Sequence, residues 1–136
     1  MKKNVLFLCT QNSCHSQMAE GLLRHFSGNE YNVYSAGVKP VEINQNAIKV
    51  MQEIGIDISK QKSKSINSFT DKKFDIIVAI GENVKEDYPS FLSKSEILHW
   101  DFIDPSEGLN YQQYLPEAIR ELRDQIKDKI QKHFAK

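Results

Sequence analysis

Two cysteines, Cys9 and Cys14, five residues apart in the run Cys9-Thr10-Gln11-Asn12-Ser13-Cys14-His15-Ser16, are the side chains best placed to do chemistry in this chain. The run joins an apolar stretch, Val5-Leu6-Phe7-Leu8, to a helical pattern that opens at Ser16. Backbone N–H groups in such a strand–loop–helix connection can converge on one point, where the helix dipole adds positive character. A phosphate-like tetrahedral oxyanion would satisfy those donors, so Thr10, Gln11, Asn12, Ser13, Cys14 and His15 are read as its binding residues. The same field is expected to lower the pKa of Cys9, making it a thiolate nucleophile at neutral pH. The alternative for Cys9 is a core cysteine that ends a buried strand.

The elements that must position this loop are legible from periodicity. Val5-Leu6-Phe7-Leu8 has the length and continuity of a strand buried on both faces. The following helix sets Met18, Leu22, Leu23 and Phe26 on one side and Glu20, Arg24 and His25 on the other, with Gly28 as a left-handed stop. Asn32 to Gly37 reads as a second strand, closed by Gly37 and by Pro40 beyond it. A second helix starts at Asn44, a good N-cap, and runs through Ala47, Ile48, Met51 and Ile54 to Gly55. The polar stretch Lys60 to Asp71 reads as a loop with one short helix. Phe74 to Ile80 is the strongest strand pattern, Glu82 to Asp87 a short helix, and Glu96 to Trp100 a fourth strand. A long amphipathic helix runs from Tyr111 or Leu115 to Phe134, with Pro116 in its first turn. This alternation predicts an α/β fold, a four-stranded parallel sheet with helices on both faces, as a single domain over residues 1–136. Ligands in such sheets bind beyond the carboxyl ends of the strands, where the Cys9–Ser16 loop meets those after Ile80 and Trp100.

Composition narrows the partners. The 136 residues are 40% hydrophobic and 26% charged, with 18 basic residues against 18 acidic ones. No general field draws the chain to nucleic acid or to a membrane, so attraction for an anion must be built locally. The N-terminal apolar run is too short for a signal peptide or membrane span, and a cytoplasmic monomer is the expectation. In a reducing compartment two cysteines are reactive or buried rather than a structural staple. Trp100 is read as a packing anchor near the site, Asp101 as loop support, and His25 and His133 as solvated. Tyr111 and Tyr114 are read as helix packing, and Lys60, Lys62 and Lys64 as a solvated basic loop in which Lys64 can face the site.

The stretch from Val5 to Gly21 strongly resembles the start of the thioredoxin-coupled arsenate reductases, which share a fold with the low-molecular-weight protein tyrosine phosphatases. The likeness continues through Tyr34-Ser35-Ala36-Gly37, Ile56-Asp57-Ile58-Ser59 and His99-Trp100-Asp101-Phe102-Ile103-Asp104-Pro105. It covers nearly the whole chain. The resemblance implies that Cys9 is the nucleophile, that Ser16 steadies its thiolate, that Asn12 holds the loop in shape and that Asp104 is a general acid. It also implies thioredoxin as external reductant, with no bound cofactor. Cation ligation in some reductases points by match to Asn12, Glu20 and Ser35, with Lys64 where a further carboxylate would stand. An ammonium there would replace a cation, so no metal is expected.

Three positions depart from the family pattern. The motif arginine is His15 here, and the two later redox cysteines are matched by Gly81 and Tyr88. Arginine offers a planar charged fork to two oxygens at once, whereas histidine donates singly and is only partly charged near neutrality. With two cysteines in the chain, a three-cysteine relay cannot run. A shortened relay would have Cys14 resolve the Cys9 adduct as a Cys9–Cys14 disulfide; the alternative is that Cys14 is a packed thiol. Three functions follow: an arsenate reductase-like enzyme, a low-molecular-weight phosphatase that needs Cys9 alone, and a non-catalytic oxyanion-binding or regulatory protein.

Overall fold

Strand β1, Lys3–Cys9, carries the uninterrupted apolar run and is buried from Val5 onward, as a central parallel strand must be. The computed structural model describes residues 2–81, 95–102 and 116–134. The order along the chain is β1, α1 (His15–Ser27), β2 (Tyr31–Gly37), α2 (Gln45–Gln52), a 3-10 turn (Ile66–Phe69), β3 (Ile76–Ile80), β4 (Glu96–Trp100) and α3 (Pro116–His133). The four strands form one parallel sheet in the order β2-β1-β3-β4. Chain direction across the sheet therefore reverses at β1, and Cys9, paired with Gly37, stands at that switch point. The expected helix at Glu82–Asp87, and Tyr88, Asp104, Tyr111 and Tyr114, lie outside the described residues.

Alternation along the strands divides the core. Val5, Phe7, Val33, Val78, Ile80 and Trp100 face α1, α2 and α3, where Met18, Leu22, Met51, Ile119, Leu122, Ile126 and Ile130 are buried against them. Leu6, Leu8, Ala36, Ile77 and Ala79 point to the other face and pack with Ile66 of the 3-10 turn and Phe74. Each Val, Leu, Ile, Phe or Met among them contributes about 1.5–3 kcal/mol on burial. Trp100 is an anchor as expected, its ring 6.2 Å from Phe7 and 6.0 Å from Phe134. Helix α2 starts where Asn44 Oδ1 accepts from the Asn46 and Ala47 N–H groups, at 2.8 and 3.1 Å.

Three local expectations are corrected. Gly28 is right-handed (φ −63°), not a left-handed stop; a Cβ there would lie 2.4 Å from the Arg24 carbonyl oxygen, so close approach is what calls for glycine. Phe26 is 39% exposed, with its ring against His25 rather than in the core. Glu20, placed on the solvent side by periodicity, is 4% exposed, because partners on three elements meet its carboxylate, as described below.

Helix α3 is fastened to α2 by charge. Glu53 accepts two hydrogen bonds from Arg120 (2.8 and 2.7 Å) and one from Arg123 (3.0 Å), and Arg123 also donates to the Val50 carbonyl oxygen. Hydrogen bonding to Arg120 first, then to Arg123, holds the Glu53 carboxyl at about 2, below its ordinary 4.5. A depressed carboxyl stabilises the fold fully above its unfolded value and loses that contribution as pH falls through the folded one. The wild type is therefore expected to unfold at a higher temperature than Glu53→Gln by a constant margin above about pH 5, a margin that disappears between pH 4.5 and 2. Thermal unfolding of both proteins across that range checks this.

Candidate active site

The loop between β1 and α1 is shaped from outside. Val38 N–H donates to the Cys9 carbonyl (3.1 Å), Lys39 N–H to Thr10 (2.7 Å), Val41 N–H to Gln11 (3.0 Å) and Asn44 N–H to Ser13 (3.1 Å). Gln17 Nε2 donates to the Asn12 carbonyl at 3.0 Å, and Met18 N–H to that of Cys14 at 3.0 Å. Every carbonyl from Cys9 to Cys14 is thus taken. A trans peptide sets its C=O antiparallel to the next N–H, so the N–H groups of residues 10–15 are turned away from these outer donors. One of them shows where they aim: Asn12 N–H meets Cys9 Sγ at 3.0 Å. At the helix end, Cys14 occupies the N-cap without its side chain capping the first turn, which leaves that turn's donors and the dipole to act on the same space.

Asn12 holds this arrangement at its centre. It has a left-handed backbone (φ +50°), unusual for a residue other than glycine. Its Nδ2 donates to Ser16 Oγ at 2.8 Å, and its Oδ1 accepts from Gln17 Nε2 (2.9 Å) and from Lys64 N–H (2.8 Å). Ser16 Oγ in turn lies 2.8 Å from Cys9 Sγ. The sequence-based set Cys9, Asn12 and Ser16 is brought together.

Cys9 is 6% exposed. Burial pushes its thiol up from the ordinary value; the Ser16 hydroxyl and the N–H groups of Asn12, Ser16 and Gln11 pull downward without overcoming it. The expectation of a lowered pKa is corrected here. Neutral donors offset only part of the cost of an ion in a desolvated site, and no arginine stands at position 15 to supply a fixed positive charge. His15 is the first residue of α1, buried, with its ring stacked on Phe102 at 6.3 Å and 23°. Both Cys9 and Cys14 are buried. Of the remaining expected site residues, Thr10, Gln11 and Ser13 line the loop through their main chain, and Asp104 lies outside the described residues.

Several supports escaped the sequence reading. Gly37 does more than end a strand: a Cβ there would meet Asn12 N at 2.8 Å, the Gln11 carbonyl carbon at 2.9 Å and Thr10 O at 2.9 Å. Gln17 and Gln61 carry no motif signal: Gln17 Nε2 donates to the Lys62 carbonyl as well as to Asn12, and Gln61 Nε2 donates to Gln17 Oε1 at 2.8 Å. Residues 61–64 form a strap across the back of the loop, and Ser63 Oγ adds a hydrogen bond to the Gln11 carbonyl.

The cation suggested by resemblance does not fit the residues present. Glu20 accepts a hydrogen bond from Ser35, and its oxygens already face Arg24 (2.9 Å) and Lys64 (3.5 Å). Two side-chain cations stand where a metal ion would need the carboxylate. Among the described residues no three His, Cys, Asp or Glu side chains gather into a ligand set, and no helix is long and apolar enough to cross a membrane.

Comparison with known proteins agrees with this geometry. The low molecular weight phosphotyrosine protein phosphatase profile matches residues 4–136. An arsenate reductase of Halalkalibacterium halodurans is 42% identical over 134 residues, spanning 98% of this chain and 96% of its own. The structure of an arsenate reductase in the phosphate binding state superposes with a TM-score of 0.82 at 33% identity, over 97% of this chain and 95% of that one. A low molecular weight protein tyrosine phosphatase from T. tengcongensis superposes with a TM-score of 0.76 at 28% identity, over 96% and 97% of the two chains. A sulfur at the sheet's switch point, under amides turned inward by their neighbours, and a likeness that runs almost end to end lead to one placement: the chain belongs to the low molecular weight phosphotyrosine protein phosphatase family.

Proposed function

We propose that this chain is an arsenate reductase-like protein that binds a tetrahedral oxyanion, arsenate or phosphate, in the Cys9–Ser16 loop with Cys9 as the nucleophile. The observation that carries the reading is the outward anchoring of six successive carbonyls around a sulfur held by Ser16 Oγ and Asn12 N–H. Oriented donors of this kind bind an oxyanion without reorganising. In the reductive direction the Cys9 sulfur displaces one arsenate oxygen as water, forming a sulfur–arsenic(V) bond. Cys14, as its thiolate, attacks the Cys9 sulfur; the sulfur–arsenic electron pair passes to arsenic, which leaves as arsenite, and the two sulfurs are oxidised to a disulfide. An external dithiol of the thioredoxin kind restores both thiols.

A second reading is favoured by Gly81 and Tyr88 at the positions matched to the later redox cysteines. Hydrolysis of a phosphate monoester needs one thiol only: Cys9 displaces the leaving group and water then releases phosphate.

Arsenate is expected to slow iodoacetamide alkylation of Cys9 at least tenfold and to convert the wild type, but neither Cys9→Ser nor Cys14→Ser, to a form lighter by two hydrogens. Alkylation at one rate with and without arsenate overturns the loop reading. Protection with no mass change, together with Cys9-dependent release of nitrophenol from p-nitrophenyl phosphate, selects the hydrolytic reading instead.

A further inference from the structure

Behind the strap that supports Asn12 lies a cleft of about 530 Å³ that the reaction does not use. Its walls come from α1 (Glu20, Arg24), β2 (Val33, Tyr34), residues 57–64 and Phe69. In a chain whose charges balance, four cations, Arg24, Lys60, Lys62 and Lys64, face this one space against two carboxylates, Glu20 and Asp57. The carboxylates are already engaged. Glu20 sits between Arg24 and Lys64, while Asp57 accepts from the Ser59 N–H at 2.9 Å and is held ionised first by Ser59 and, more weakly, by the charge of Lys60. The exposed ammonium groups of Lys60 and Lys62 have no carboxylate within 4 Å among the described residues. The lining therefore keeps a surplus of two positive charges at the cleft's open side.

The geometry points to a second anion site in this cleft, for a dianionic tetrahedral oxyanion of the phosphate or sulfate class held between Lys60 and Lys62. Charge matching defines the ligand: the lining's surplus of two positive charges pairs with two negative ones, and the cleft holds a group of that size with room to spare. The binding itself is independent of the Cys9-loop reading. Its consequence rests on that reading, because the residues that hold the second anion belong to the strap. The Lys62 carbonyl accepts from Gln17 Nε2 (2.9 Å) and the Lys64 N–H donates to Asn12 Oδ1 (2.8 Å), so ordering the strap orders the loop. Each anion then favours the other, with the reciprocity that linkage requires.

Equilibrium dialysis with labelled sulfate, at ionic strength held constant with chloride, is the test. Alkylation of Cys9 on the same samples reports the loop site alone. The wild type is expected to bind two sulfates per chain. Lys60→Ala/Lys62→Ala, which changes two exposed side chains and leaves the strap's main-chain bonds in place, is expected to bind one, with sulfate protection of Cys9 needing about fivefold more ligand. Equal numbers in the two proteins overturn the cleft, whether that number is two, one or none. One sulfate in the wild type and none in the variant, with Cys9 unprotected in both, supports the cleft and sinks the loop reading instead.

Discussion

His15→Arg is expected to raise the rate of p-nitrophenyl phosphate hydrolysis by about 10²–10³-fold, the size of effect carried by one preorganised donor at a developing oxyanion. The scaffold is otherwise ready: the loop carbonyls are anchored outward, and Cys9 Sγ lies 2.8 Å from Ser16 Oγ. What position 15 lacks is a permanent charge with a bidentate reach. The same exchange has a second, separable consequence. Burial holds the Cys9 thiol above its ordinary pKa, so the thiolate fraction at neutral pH is small and alkylation accelerates as pH rises past the ordinary value. A fixed guanidinium favours the thiolate, and the midpoint of the alkylation profile should move down. Stopped-flow alkylation from pH 6 to 10, with the unfolding midpoint measured alongside because the Phe102 stacking is lost, covers both consequences. An unchanged hydrolytic rate at intact stability would place the limiting step elsewhere than in the clamp.

Gly37→Ala is the substitution with the next largest effect. The added methyl group lands within 3 Å of three main-chain atoms, Asn12 N, the Gln11 carbonyl carbon and Thr10 O, none of which can rotate away as a side chain would. The sheet fixes one side of the clash, since Gly37 pairs with Cys9 at the end of β1 and β2. The loop has to move. Overpacking of this sort costs about 1–3 kcal/mol, and the displaced loop loses the Asn12 N–H contact to Cys9 Sγ. Expected together are that loss of stability in denaturant unfolding and at least a tenfold loss of sulfate protection at Cys9. A variant that unfolds at the wild-type midpoint and keeps its protection would show that the close approach has no role in the cradle.

Sequence and structure agree where one physical pattern dominates. The apolar run of β1, the Asn44 cap and the buried stripe of α3 are each set by local burial or local hydrogen bonding, and each falls where periodicity puts it. Glu20 shows where such reasoning stops. Helical periodicity assigned it to solvent, but its partners Ser35 and Lys64 are 15 and 44 residues away, and only tertiary structure brings them together. Asn12 and Gly37 are similar: a positive φ in one and a missing Cβ in the other are demanded by a contact between two loops distant in sequence. The outer donors were invisible for a different reason. Val38, Lys39 and Val41 act through N–H groups that nearly every residue possesses, so no side chain announced them. The pKa of Cys9 departs from the sequence expectation because the loop's dipoles can be anticipated from sequence, whereas the depth of the sulfur below the surface cannot.

The ring of peptide hydrogen bonds around residues 9–14 also bears on how such a protein changes over generations. Positions 10, 11 and 13 offer the ion their amides whatever side chain they carry, so drift there leaves anion capture nearly untouched. On the proposed reading, capture and turnover would be inherited separately: an exchange at position 15 would lower the second without erasing the first. A descendant that stopped converting its ion would still sequester it, and on the hydrolytic reading, which needs one thiol, regaining conversion would require an exchange at position 15 rather than a new pocket.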